Sequence, residues 1–346
     1  MMGHRIELKG LYKIFGPAAA IAMAKNGTKA EDIRRKTGAV VAVNDVSFAI
    51  PAGEIFVIMG LSGSGKSTLI RCINRLIEPS AGEILVDGVD VARQSLADLR
   101  LLRRHRVSMV FQNFALLPHR TALENVEYGL AIRHQERGDR RRRSLEALSL
   151  VGLQEWANHY PAELSGGMKQ RVGLARALAT DSDILLMDEP FSALDPLIRR
   201  ELQDELLRLQ NTLRKTIVFV THDFHEALKL GTRVALMRQG TVVQVGTPQD
   251  IVFTPADSYV AGFTRDVDRG QLLCARDVMR PFDGSLAAPI DSVPVECRLS
   301  DLYAKLTVCE EIAVVDANGE AVGLVRSTDV FHRLSPGWVG PTQRLQ

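Results

Sequence analysis

No pair of cysteines in this chain carries the spacing of a metal knuckle or a redox motif. The four, at Cys72, Cys274, Cys297 and Cys309, form no C-x-x-C, so they suit a reducing compartment and require no disulfide. Charge of one sign is missing as well. The 43 Lys and Arg face 41 Asp and Glu, a balance that argues against nucleic acid as a partner. No apolar run approaches the ~20 residues of a membrane span. The start, Met1-Met2-Gly3-His4-Arg5-Ile6, has no charged-then-apolar leader, so membrane attachment is expected through partners. Sustained heptads are also absent, which removes a long coiled coil. What is present is 346 residues, 46% hydrophobic and 24% charged, enough for a full core and about two domains as a prior.

Against that background, one stretch stands out. Glu54-Ile55-Phe56-Val57-Ile58-Met59 is short, apolar and rich in β-branched and aromatic residues, the composition of a buried strand. It runs into Gly60-Leu61-Ser62-Gly63-Ser64-Gly65-Lys66-Ser67-Thr68. Glycines at this spacing let the backbone turn sharply and aim its N–H groups at phosphate oxygens. Lys66 adds a mobile cation and Ser67 a hydroxyl for Mg²⁺. A helix opening near Lys66 points its positive dipole end at the same anion. A glycine-rich turn without function leaves the Lys and Ser after Gly65 unexplained.

A second apolar run, Asp183-Ile184-Leu185-Leu186-Met187-Asp188, ends in a carboxylate followed at once by Glu189. A strand's carboxyl end is where sheets of this class hold ligands. Alternation along a strand lets neighbouring carboxylates take different tasks. Asp188 is expected to hold Mg²⁺ directly or through water, and Glu189 to face an attacking water. Asp-Glu-Pro also ends strands for purely structural reasons, a reading that loses force beside the glycine loop.

In these motifs the chain resembles the ATP-binding subunit of ABC transporters, over roughly residues 4 to 265. Leu164-Ser165-Gly166-Gly167 resembles the family signature, with a helix expected from about Met168. Gln112, in Val110-Phe111-Gln112, resembles the Q-loop, and Ser192-Ala193-Leu194-Asp195 the D-loop. His222, in Val220-Thr221-His222-Asp223, resembles the switch histidine, and Phe15 falls where the family stacks adenine. The resemblance implies an α/β P-loop NTPase cassette with a RecA-like core sheet, an antiparallel β subdomain and a helical subdomain. It also implies two cassettes paired head to tail, with ATP between one protomer's P-loop and its partner's signature. Ser165, Gly166, Gly167 and Asp195 would then meet nucleotide across the dimer. Gly60, Ser62, Gly63, Ser64, Gly65, Lys66, Ser67 and Thr68 would hold it in cis, with Phe15 under the base. Mg²⁺ would sit among Ser67, Gln112 and Asp188. Glu189 would act as general base, His222 would bond the γ-phosphate, and Lys66 would offset its charge in a loose transition state.

Two departures narrow the family. The position after Gly167 is Met168 where Gln is usual, and residues 17–38 form an insertion. Within it Ala18–Lys25 and Lys29–Lys36 are helix-prone and separated by Asn26-Gly27. Both departures resemble the subfamily serving glycine betaine, proline betaine and choline. Asp195-Pro196-Leu197-Ile198-Arg199 and Val243-Gln244-Val245-Gly246-Thr247-Pro248 are worded likewise. The implied function is ATP hydrolysis powering import of a quaternary ammonium compound, at the cytoplasmic face of the bacterial inner membrane. Implied partners are a second ATPase subunit, an integral membrane permease and, through it, a periplasmic or extracellular binding protein. The alternatives are an importer for another small solute such as an amino acid, or a non-transport ABC ATPase. The second of these usually carries two cassettes or a long coiled-coil insertion, and this chain has neither. The short helical region and the lack of fused spans favour an importer.

The remaining elements follow from pattern. A helical subdomain is expected over about residues 113–165, opening on Phe114, Leu116 and Leu117, where the family receives a permease helix. Thr121 reads as an N-cap, and Leu145, Leu148, Leu150 and Val151 as an apolar stripe. Arg140–Arg143 reads as a solvated helix face, with lipid headgroups as the weaker alternative. Leu202, Leu206, Leu209 and Leu213 form the inner face of a helix. Thr216–Thr221 returns as a strand, and Gln239-Gly240 turns a hairpin that closes the cassette. From residue 266 to 346 a small α+β unit resembles one CBS repeat, built on Leu299–Leu306, Glu311–Asp316, Asn318-Gly319, Ala321–Arg326 and Asp329–Leu334. Arg326 replaces the Thr that family uses for an adenosyl ligand, so the tail is either regulatory or purely structural.

Overall fold

The computed structural model describes residues 4–112, 115–192, 194–281 and 291–334. Phe114, Ala193 and the loop with Gly284 and Pro289 lie outside them. The chain divides into two compact units between Val245 and Gly246, some twenty residues before the domain boundary expected from sequence.

In the first unit a six-stranded sheet carries the glycine loop. Its middle strand, Ile55–Met59, is flanked in parallel by Thr216–Thr221 and Arg233–Arg238. Ile184–Asp188 and Val107–Val110 extend it on one side, and Thr241–Gly246 on the other. All five residues of both Ile55–Met59 and Ile184–Asp188 are buried, as expected of parallel strands covered on both faces. Gln239 and Gly240, both at positive φ (49° and 83°), make the two-residue turn into the edge strand.

A four-stranded sheet is built on two 12-residue strands, His4–Phe15 and Val40–Pro51. Its inward residues Ile6, Leu8, Val43, Val46 and Ile50 share one core with Phe56, Ile58, Leu186, Val218 and Val220 of the six-stranded sheet. The helix after the loop, Lys66–Ile73, contributes Leu69, Ile70 and Ile73 to that core. Phe48 stacks on Phe56 with ring centroids 4.9 Å apart, pinning one sheet over the other.

Between Phe15 and Val40, themselves register partners, the insertion folds as helices Ala18–Lys25 and Ala30–Thr37. These close a separate small core of Tyr12, Ile14, Ala20, Ala24, Ile33 and Ala39.

The helical layer comprises Ala122–Ile132, Arg137–Leu150 and Gly166–Ala179. Thr121 is the N-cap of the first, as expected, and Glu124 completes a capping box with it. Leu148 and Val151 are buried, but Leu150 is turned outward, because Ala147 and Ser144 complete the inner face at helical spacing. Three of the five arginines of the same helix are in ion pairs: Arg140 with Glu127, Arg142 with Asp139 and Glu146, and Arg143 with Asp181. In Pro196–Leu213 the residues Leu202, Leu206 and Leu209 face inward. Leu213, the last residue before Arg214 enters the left-handed region, is 45% exposed.

In the second unit, helices Pro248–Phe253 and Ser258–Thr264 precede a four-stranded sheet ordered Arg280–Pro281, Ala321–Arg326, Glu311–Val315, Ser292–Pro294. The helix–strand–turn–strand–helix order read from sequence is present, its last helix opening at Ser327 rather than Asp329. Asp329 accepts hydrogen bonds from Arg280, and Arg326 pairs with Glu311. No helix among the described residues is long and apolar enough to cross a membrane.

Candidate active site

The glycine loop owes its shape to two close approaches. Gly65 sits at φ 101°, and a Cβ there would lie 2.0 Å from the Ala42 carbonyl oxygen. At Gly60, φ 153°, it would lie 2.3 Å from the Met237 carbonyl oxygen. A side chain at either position would force the loop off the two strands that cradle it. The turn ends where Lys66 begins its helix, so free backbone N–H groups face the cleft.

Lys66 is buried, its Nζ donating to the carbonyls of Gly60 (2.8 Å) and Leu61 (3.0 Å). Burial lowers its pKa, while the charges of Glu189 and Asp188 oppose that shift. Its ammonium lies 4.0 Å from a Glu189 carboxylate oxygen. The other Glu189 oxygen is 3.1 Å from His222 Nδ1. Against an ionised Glu189 that nitrogen is the donor; Nε2 then accepts in the neutral ring and donates in the protonated one.

Glu189 itself sits at φ 47°, a conformation costly for a non-glycine residue. Three hydrogen bonds hold it there: its N–H donates to Val220 O (3.1 Å), and its carbonyl accepts from the Ser192 hydroxyl (3.1 Å) and the Ser192 N–H (3.4 Å).

Asp188 is fully buried. Its Oδ2 accepts from Arg71 Nε (3.2 Å) and Nη2 (2.9 Å), while Oδ1 has no hydrogen-bond partner among the described residues. A buried, orphaned carboxylate oxygen is costly and is a fit for a hard cation, as are the oxygens of Ser67 and Gln112. Among the described residues no three His, Cys, Asp or Glu side chains converge on a metal. Any cation there would take its remaining ligands from hydroxyl, amide, water or phosphate oxygens.

Lys66, Glu189 and His222 share one cleft of about 650 Å³, within the range of small-molecule sites; Asp188, fully buried, does not line it. The loop lines it with Ser62, Gly63, Gly65, Lys66, Ser67 and Thr68, and the strand ends with Gln112, Glu189 and His222. Phe15, 46% exposed, forms a further wall with Val40, Val41 and Ala42. Lys13 Nζ lies 4.7 Å from the Phe15 ring centroid.

Ser165, Gly166, Gly167 and Asp195 do not line this cleft. They open two helices. Ser165 Oγ accepts from Met168 N (3.3 Å), so that helix begins at Gly166, two residues before the expected start. Asp195 Oδ1 accepts from Leu197 N and Ile198 N, both at 3.1 Å.

Sequence reasoning missed several contributors. Arg71 reaches Asp188 across 117 residues, and no local pattern signals it. Buried Asn125 holds the turn at Leu117 and Arg120: its Nδ2 donates to Leu117 O (3.1 Å) and Arg120 O (3.0 Å), and its Oδ1 accepts from Leu117 N (2.7 Å). Glu226, also buried, accepts from Thr221 Oγ1 (2.6 Å) beside His222. Burial pushes its carboxyl pKa up, opposed first by the Thr221 hydrogen bond.

Comparison with known proteins matches residues 43–192 to the family described as ABC transporter. The chain is 55% identical over 281 residues to the glycine betaine/proline betaine transport system ATP-binding protein ProV of Escherichia coli, covering 81% of this chain and 70% of that protein. It is 52% identical over 320 residues to the trimethylamine N-oxide transport system ATP-binding protein TmoW of Ruegeria pomeroyi, covering 92% and 93%. Among solved structures it resembles the dimeric ATP-binding cassette MJ0796 in a post-hydrolysis state bound to ADP and Pi. That match has a TM-score of 0.61 and 35% identity, over 70% of this chain and 98% of the other. The cleft therefore lies in a fold whose relatives are nucleotide-driven transport subunits, and this chain belongs to the ABC transporter family as an ATP-binding, ATP-hydrolysing cassette subunit.

Proposed function

We propose that this chain powers the import of a small methylated-amine solute, a quaternary ammonium compound such as glycine betaine, proline betaine or choline. The observation that carries the reading is the convergence of Lys66, Glu189 and His222 in one cleft that Phe15 also lines. The cargo follows from the names of the relatives, since nothing in an ATPase cleft contacts the transported solute.

The P-loop N–H groups and Lys66 bind the β- and γ-phosphates, and Phe15 stacks the base. Glu189 takes a proton from the in-line water. His222 orients Glu189 through Nδ1 and, with the ring carrying both protons, donates from Nε2 to a γ-phosphate oxygen. Ser67, Gln112 and Asp188 are the residues that would hold Mg²⁺, which supplies charge neutralisation for the phosphate oxygens. Ser165, Gly166, Gly167 and Asp195 act on the nucleotide of a partner protomer, which accounts for their absence from the cleft of their own chain. The permease receives the segment after Gln112 that Asn125 pins, and membrane attachment at the cytoplasmic face runs through that permease. An extracytoplasmic binding protein delivers the cargo. We assign the unit resembling a CBS repeat to regulation of this cycle. In it Arg280 holds Asp329, and Arg326 stands where an adenosyl-binding Thr is usual.

The test is Glu189→Gln. Hydrolysis should fall roughly 10²-fold to 10⁴-fold, the usual worth of a general base. ATP and Mg²⁺ should trap a dimer in size-exclusion chromatography. A monomeric or fully active variant would overturn the assignment. Cargo is read separately, as ATPase stimulation in vesicles holding permease and binding protein, with glycine betaine compared against an amino acid.

A further inference from the structure

We propose that Arg199 is a positioning residue that couples the segment before Asp195 to His222 within one protomer. The inference rests on the reading above, in which Asp195 faces a partner and His222 faces the γ-phosphate.

Three contacts converge on this guanidinium from the first turn of the helix Pro196–Leu213. Nη2 donates to the Leu194 carbonyl (3.3 Å), immediately before Asp195. Nη1 donates to Asp223 Oδ2 (3.3 Å), immediately after His222. Nε lies 3.9 Å from Glu226 Oε1, an ion-pair distance too long for a hydrogen bond.

One turn further along the same helix, buried Gln203 donates through Nε2 to Glu226 Oε1 (3.1 Å). Glu226 Oε2 accepts from Thr221 Oγ1, and Thr221 Oγ1 in turn accepts from the Asp223 backbone N–H (3.0 Å). Asp223 Oδ1 caps the following helix by accepting from His225 N (2.9 Å). His222 is thus bracketed. Thr221 before it is linked through Glu226 to Gln203 and Arg199, and Asp223 after it accepts directly from Arg199.

The consequence is mechanical. A planar guanidinium that bonds two acceptors at fixed angles transmits a shift of one to the other, which a single ammonium cannot do. When a partner displaces the backbone at Leu194, the Asp223 carboxylate and the His222 backbone move with it. His222 then approaches or leaves Glu189, whose carboxylate it contacts at 3.1 Å. Hydrolysis is in this way conditioned on the partner without any partner residue touching His222.

The experiment uses the full chain with Arg199→Lys, Asp223→Asn and the double variant. Each single change removes one arm of the clamp and conserves size. We expect kcat to fall on the order of 10²-fold, the effect of misplacing a reacting group by about 1 Å. KM for MgATP and the melting temperature should be unchanged, and the double variant should be no slower than the worse single. Adding Arg199→Lys to Glu189→Gln should leave the ATP-trapped dimer intact, because binding and closure do not use the clamp. An unchanged kcat, additive losses, or a joint fall of kcat, affinity and melting temperature would each overturn the proposal. Failure of Glu189→Gln itself to dimerise would overturn the two-protomer reading instead, and the kcat-against-KM split of Arg199→Lys remains readable on its own.

Discussion

At the residue scale, the site depends on atoms placed at unfavourable positions. Gly65 is the clearest, with its φ of 101° and its approach to Ala42. Gly65→Ala should cost about 1–3 kcal/mol of stability from backbone strain alone, read as a lower melting temperature. It should also abolish binding of a fluorescent ATP analogue. Lys66→Ala removes the charged donor and should weaken nucleotide binding by roughly 1.5–3 kcal/mol, about 10-fold to 150-fold, in equilibrium titration. Cys72, fully buried in the core, tests that core rather than the site. Burial pushes its thiol up to about 12, so at pH 8 the nucleophilic thiolate is suppressed in the native state. Iodoacetamide should label Cys72 only after denaturant unfolds the chain, and rapid native labelling would show that the core opens.

At the scale of the element, the insertion is the informative case. Its small core centres on Ile33, fully buried, and is separate from the main core. Ile33→Ala should cost about 2–5 kcal/mol locally. Faster amide exchange confined to residues 18–37 is expected, with the main core still protected. Since Phe15 and Val40 form the stem of this hairpin, the Kd for ATP should rise while kcat holds. The signature helix makes the complementary prediction. Ser165→Arg should leave nucleotide affinity of the monomer intact, because Ser165 does not line its own chain's cleft. It should nevertheless block the ATP-trapped dimer in the Glu189→Gln background, and normal hydrolysis by Ser165→Arg would rule out action across protomers.

At the scale of the whole molecule, the division at Val245 places every residue of the nucleotide cleft in the first unit. A chain cut after Gly270 should therefore hydrolyse ATP at close to the full-length rate in solution. The cut also removes partners of the segment that stays. Tyr303 hydrogen-bonds Asp268 and packs on Gly270, and Leu272 accepts from Gln249. The shortened chain should accordingly show lower solubility, and a cut after Val245 less so. Regulation is read in membranes: uptake by the shortened chain with its permease should lose its response to osmotic strength or an added adenine nucleotide.

Residue order alone carried the chemistry that is local in sequence. The loop Gly60–Ser67, the adjacent Asp188 and Glu189, and His222 were each legible, because glycine, lysine and carboxylate at those spacings admit few other uses. Strand and helix periods placed them at strand ends for the same reason: a buried run must pair its backbone and can turn only where it stops. What the chain could not announce was which distant groups share a carbonyl or a carboxylate. Arg71 on Asp188, Asn125 behind Gln112, and Arg199 between Leu194 and Asp223 have no local signature, since each is set by how helices and strands far apart in sequence pack. The same packing turned Leu150 and Leu213 outward despite their apolar spacing, and it drew the unit boundary at Val245. Burial and hydrogen-bond geometry are properties of the assembled molecule, and only there do they exist to be read.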